Sequence, residues 1–181
     1  MRLKLWIPML AALLAGCATG PAPRPNVSRY DFGSIEAGAG GARIDVRAPS
    51  WLDSDAMQYR MSREPARRQV FAESRWVASP AQLLAGALRQ QLGGTGNCHL
   101  HIDLDEFVQV FDDAGQSRVV LSLHATLQSA RAENVALRSF SLEQPAGADA
   151  RSGVAAFVQV EQRLAAGLSE WLAPSLARCR G

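Results

Sequence analysis

Ser79-Pro80-Ala81-Gln82-Leu83-Leu84-Ala85-Gly86-Ala87-Leu88-Arg89-Gln90-Gln91-Leu92-Gly93-Gly94 is followed closely by Leu100-His101-Ile102-Asp103-Leu104-Asp105-Glu106-Phe107-Val108-Gln109-Val110. The fold class is decided here, because the hydrophobic period changes from helical to alternating within one stretch. Ser79 can cap a helix, Pro80 suits its first turn, and Gln82 stands where a capping box needs it. Leu84, Leu88 and Leu92, with Leu83 and Ala87, make the apolar stripe, and Gly93-Gly94 stops it. The alternating stretch assigns Leu100, Ile102, Leu104, Val108 and Val110 to one face of a strand. Asp112-Asp113-Ala114-Gly115 reads as a hairpin turn into residues 119–127, where Val119, Leu121, Leu123, Ala125 and Leu127 share a face.

Upstream, residues 42–48 alternate, Ile44 and Val46 against Arg43, Asp45 and Arg47. Pro49-Ser50-Trp51-Leu52-Asp53-Ser54 interrupts, and residues 57–61 and 69–76 read as two further strands. Short strands joined by turns predict antiparallel pairing among these three. Downstream, residues 134–142 are a weaker strand. Residues 149–172 return to a helical period, with Phe157, Val160, Leu164, Leu168 and Trp171 on one face and Pro174 as terminator. The order β-β-β-α-β-β-β-α predicts an α+β domain of two layers, a mostly antiparallel sheet with two helices packed on one face.

At the N-terminus, Arg2 and Lys4 precede an apolar run over residues 5–14. Ten residues of helix rise about 15 Å, too little for a bilayer core of about 30 Å, so the run reads as a secretory signal. Leu14-Ala15-Gly16-Cys17 resembles the lipobox of bacterial lipoproteins, in which the cysteine is diacylated and becomes the new N-terminus. The expected division is a signal peptide over 1–16, a lipidated tether over 17–28 rich in proline, and one domain over 29–181. Two or more acyl chains on Cys17 would hold the protein stably at a membrane. Ala18, rather than aspartate, after the cysteine favours the outer membrane by resemblance to the enteric sorting rule.

The formal charge of +2 belongs to the signal segment. Without Arg2 and Lys4 the 19 basic residues become 17, against 17 acidic, which argues against a nucleic-acid surface. Lys4 is the only lysine, so the mature chain holds none for a Schiff base or a P-loop. With Cys17 used for lipid, Cys98 and Cys179 remain, either as free thiols or as a disulfide. Such a bond would close a loop of about 80 residues and stabilise by roughly 4 kcal/mol in the chain-entropy model.

Catalytic and metal sites find little support. His99 and His101 beside Cys98 lack a further ligand at metal-like spacing, and His124 lies on another strand, so no metal or other cofactor is expected. Asp103 and Asp105 read as a solvated strand face, with Glu106 the third acid considered for hydrolysis. Gly38-Ala39-Gly40-Gly41 lacks the strand and helix of a dinucleotide loop, and no serine sits in a Gly-x-Ser-x-Gly elbow. The expectation is a non-enzymatic protein.

The parts in order resemble the ABC-type transport auxiliary lipoproteins, which include the paraquat-inducible protein C lipoproteins. The matching residues are Tyr30-Asp31-Phe32-Gly33, Ile44 to Val46, Pro49 to Ser54, Met57-Gln58-Tyr59-Arg60, Ser74-Arg75-Trp76-Val77-Ala78-Ser79-Pro80, Glu106-Phe107 and the closing helix. Trp51 departs from the smaller aromatic usual there, and the cysteine pair is not a family feature. The resemblance implies a non-catalytic subunit at the outer membrane, facing the periplasm. Its partners would be an MCE-domain protein and the components of an ABC transporter moving lipid or other hydrophobic cargo. A homo-oligomer is left open. Trp51, Leu52, Tyr59, Arg75 and Trp76 are the candidate contact residues, since Trp, Tyr and Arg dominate interface energetics; Trp76 reads equally as a core anchor. Two competitors remain: a pilot or assembly lipoprotein for a secretion channel or lipopolysaccharide machinery, and a lipid-anchored hydrolase. A pocket joining Asp103, Asp105 or Glu106 to His101 or His124 would favour the hydrolase.

Overall fold

In chain order the elements are β1 (Ser28–Tyr30), β2 (Ala42–Arg47), β3 (Ala56–Met61), β4 (Gln69–Trp76), α1 (Pro80–Leu92), β5 (Cys98–Phe111), β6 (Ser117–Gln128), β7 (Asn134–Ala146) and α2 (Ala150–Leu176). The structure is a computed structural model that describes residues 26–38, 41–94 and 96–176. The signal segment, Cys17 and Cys179 lie outside the described residues. All seven strands form one mixed sheet, and the chain has the expected α+β architecture.

β5 is the spine of the sheet. One edge pairs antiparallel with β6, and β6 with β7, over nearly their whole lengths. The other edge is shared end to end by β2 and β3, both parallel to β5. β2 and β3 therefore do not pair with one another, contrary to the antiparallel expectation for the short strands; β3 and β4 do pair antiparallel. Ala42 faces Cys98 and Tyr59 faces Gln109, so seventeen steps on the outer chain run beside eleven on β5. The surplus is the Pro49–Ser54 excursion. β1, with three residues too short to show a period, pairs parallel with β4 and takes up the last tether residue, Ser28.

The register of β5 corrects a second expectation. A bulge between Leu104 and Glu106 leaves Asp105 without a partner on β6. An extra residue reverses the facing of everything beyond it. Leu100, Ile102 and Leu104 thus share their face with Phe107 and Gln109, opposite Leu121 and Val119. Val108 and Val110 lie on the other face, where Val110 stands beside Arg60.

Both helices pack on the first face. Leu84 and Leu88 of α1 and Phe157, Val160, Leu164 and Leu168 of α2 close over Leu100, Ile102, Leu104, Leu121, Leu123 and Leu127 in one core. Phe107 stacks on Phe157 at 3.9 Å, with Trp76 edge-on to both at 5.5 and 5.7 Å. α2 comes close to the sheet at Gly153, where an added Cβ would lie 2.2 Å from Gln109 Oε1. Gln109 in turn donates from Nε2 to Ser117 Oγ, Gly147 O and Asp149 O, tying β5 to the start of α2. α2 does not end at Pro174. The proline and Glu170, whose carbonyl loses its helical partner there, are both exposed, so water can take the orphaned acceptor. The final residues continue to Leu176, whose side chain lies against Gly41. Cys98, fully buried, is disulfide-bonded.

Candidate partner-binding surface

On the face without helices, where Val108 and Val110 are buried and His124 is exposed, a group of side chains surrounds Trp51. The excursion between β2 and β3 turns sharply, with the Leu52 and Asp53 N–H groups donating to Pro49 O at 2.9 and 3.1 Å. This turn drives Leu52 into the core at 1% exposure and leaves Trp51 45% exposed. The Arg68 guanidinium lies over the Trp51 ring at 4.1 Å, and Gln58 Nε2 donates to the Trp51 carbonyl at 2.8 Å. Arg68 Nη2 donates to both Glu106 oxygens at 2.7 and 3.0 Å, and its Nη1 to Gln58 Oε1 at 3.2 Å. Arg60 Nη1 adds a bond to Glu106 Oε2 at 3.0 Å. Two guanidiniums share one carboxylate, so the group keeps one formal positive charge. Val70, half exposed, stands beside Gln58 at the sheet margin.

Five residues were expected at a contact surface, and the structure does not bring them together. Leu52 and Trp76 are each 1% exposed, so they are core residues and not contacts. The reason is apolar bulk: Trp76 sits edge-on to Phe32, Phe107 and Phe157 beneath α2. Tyr59 is in register with Gln109 on the helix-bearing side, packed on Phe71 and Phe111 at 4.8 and 5.8 Å. Arg75 donates to the Phe71 and Ser74 carbonyls and is half-buried. Of the five, Trp51 alone is exposed, grouped with Arg68 and, through Glu106, with Arg60, neither of which stands among the expected contact residues. The signal was the alternation Met57-Gln58-Tyr59-Arg60-Met61, which puts Gln58 and Arg60 opposite the apolar positions.

Groups with catalytic composition also occupy this face. His124 Nε2 is 3.2 Å from Asp105 Oδ2, and its Nδ1 is 2.8 Å from Ser139 Oγ. The connectivity is that of a Ser-His-Asp chain, but the His124 and Asp105 side chains are 64% and 46% exposed. A solvated pair of this kind contributes little charge stabilisation. A separate shallow depression of about 270 Å³ joins His101 and Asp103 with Asp45, Arg47 and Gln128, and includes none of the chain's three residues. Among the described residues no group of His, Cys, Asp and Glu is placed to hold a metal ion. Among them, too, no helix is long and apolar enough to cross a membrane.

The fold has close counterparts among solved structures. A crystal structure of a Xanthomonas campestris protein of the DUF330 family superposes with a TM-score of 0.66 at 20% identity, covering 85% of this chain and 95% of that one. A second, described as that of an uncharacterized protein, gives 0.64 at 17% identity over 81% of this chain and 99% of that one. At such identities the likeness is one of fold. No family model matches the sequence, and no curated protein matches it.

Proposed function

We propose that the chain is a non-catalytic lipoprotein, anchored through Cys17 in the outer membrane and facing the periplasm, that serves an ABC/MCE-type system for lipid or other hydrophobic cargo. The observation that carries the binding role is Trp51: large, exposed, and held by Arg68 and Gln58 in one orientation. An aromatic anchor ordered before its partner arrives loses little entropy on docking. The anchor rests on Leu14-Ala15-Gly16-Cys17, and the transport assignment on the ordered motifs from Tyr30 to Pro80. Labelling of the cells with radioactive palmitate tests the anchor. Label should enter the wild-type chain and be absent from Cys17→Ser; equal labelling of both sinks the lipoprotein reading.

A hydrolase is favoured by two separate observations, the shallow depression that joins His101 to Asp103 and the Asp105–His124–Ser139 chain. The latter's exposure on a flat strand face, without an enclosing pocket, weighs against an activated serine. A fluorophosphonate probe should leave Ser139 unlabelled; stoichiometric labelling lost in Ser139→Ala would make the hydrolase reading the better one. A pilot or assembly role for a secretion channel or lipopolysaccharide machinery shares the anchor and differs only in the partner recovered.

A further inference from the structure

The segment between β1 and β2 is a strap across the two helices. Asp31 Oδ1 accepts the Gly33 N–H at 2.8 Å, Gly33 takes φ +71°, and Phe32 is plugged into the core. Further on, Gln90 Nε2 donates to Ile35 O at 2.6 Å, and the Gly38 N–H donates to Gln90 O at 3.1 Å. Gly38 passes so close that a Cβ would stand 2.0 Å from Gln91 O. Pinned at both ends, the strap borders a cavity of about 280 Å³ that opens to solvent at Ser34, Glu36 and Gln162. Phe32, Ser34 and Ile35 of the strap line it together with Gln91 of α1 and Val158 and Glu161 of α2. Glu161 is 2% exposed on the inner face of α2, and it accepts one bond from Gln91 Nε2 at 2.6 Å.

A carboxyl is costly in such a place unless something compensates it. The lining includes a second acid, Glu36, the acceptor amides of Gln91 and Gln162, and no arginine or histidine. The mature chain has no lysine to supply a cation from elsewhere. The volume falls just below the usual range for whole small-molecule sites, which suits a small polar group. Burial also pushes the Glu161 carboxyl up from its ordinary value, the direction expected of an acid with no cation beside it, and a bound cation would offset the cost of ionising it.

We propose that the cavity under the strap binds a small ammonium group, with Glu161 as its counter-ion and the Gln91 and Ser34 side chains beside it. The site is on the opposite side of the sheet from Trp51 and does not depend on the anchor or on the transport system.

The test is a titration of the full mature protein in a nonionic detergent with ethylammonium chloride, against sodium chloride at equal ionic strength. The backbone amides of residues 33–38 and the Gln91 side-chain amide are followed by nitrogen-15 NMR. Saturable shifts with ethylammonium alone are expected, about tenfold weaker or more in Glu161→Gln. Ser34→Trp, which fills the cavity from an exposed strap position, should abolish them, and decides the matter if Glu161→Gln does not fold. Short-chain phosphatidylethanolamine and phosphatidylglycerol distinguish the source. Shifts with phosphatidylethanolamine identify a lipid head group; shifts with ethylammonium only identify a free amine. Absence of saturable shifts with either amine, or undiminished shifts in a folded Glu161→Gln, overturns the proposal.

Discussion

The Arg68 guanidinium covers the Trp51 ring at 4.1 Å while its far edge grips Glu106. One arginine therefore links an exposed aromatic to a carboxylate that sits behind it on β5. Trp51→Ala should cost the fold about 1 kcal/mol or less, the size of a partly exposed cation–π contact. It should weaken partner binding by about tenfold or more, the behaviour of an interface anchor. Thermal unfolding and a binding titration on the same variant separate the two. Equal loss of stability and affinity would make Trp51 structural.

Glu106→Gln should behave in the opposite way. Its side chain is 15% exposed between Arg60 and Arg68, and removing the charge leaves two guanidiniums facing each other. A loss of about 1–3 kcal/mol is expected, as for hydrogen bonds to charged groups, and high salt should recover part of it. Urea unfolding at low and high salt measures both effects.

Gly153→Ala should destabilise by about 1–3 kcal/mol, the usual cost of overpacking a tight contact. The new methyl meets Gln109 Oε1 and must shift the whole amide, pulling Nε2 from its bonds to Ser117, Gly147 and Asp149. Pairing Gly153→Ala with Gln109→Ala in a double-mutant cycle should show strong coupling. Additive losses would deny the contact.

The Glu161 carboxyl, raised by burial above its ordinary value of 4.5, makes stability depend on pH. Between the unfolded and folded values the native state holds the extra proton, so stability falls as pH rises through that window. Below 4.5 the penalty is absent, and above the folded value it is complete. Glu161→Gln should therefore unfold at a higher temperature than wild type at neutral pH, with the advantage vanishing near pH 4. A constant difference at all pH values would contradict this.

The order of every element but the three-residue β1, and both helical stripes, were legible because each is a local periodic pattern. Val119 to Leu127 alternate without interruption, and all five apolar positions are buried. What could not be read is what the rest of the fold imposes. The bulge at Asp105 needs no glycine or proline, so nothing local marks it, yet it sends Val108 and Val110 to the face opposite Leu104. Equally, Trp51 and Leu52 are neighbours in one turn, and only the turn's orientation over the core decides which is buried. Trp76 and Trp51 look alike in sequence and differ entirely in place. Arg60 and Arg68 became visible as one group only when β3, β4 and β5 were brought side by side.

The most direct test replaces Val70, exposed beside the Trp51 group, with a photo-crosslinking amino acid in the full-length chain. Irradiated cells are then searched for the attached partner. Recovery of an MCE-domain protein, diminished when Trp51→Ala is added, is the expected result. Recovery of a secretion channel or a lipopolysaccharide-assembly protein, with no MCE-domain protein, would contradict the account.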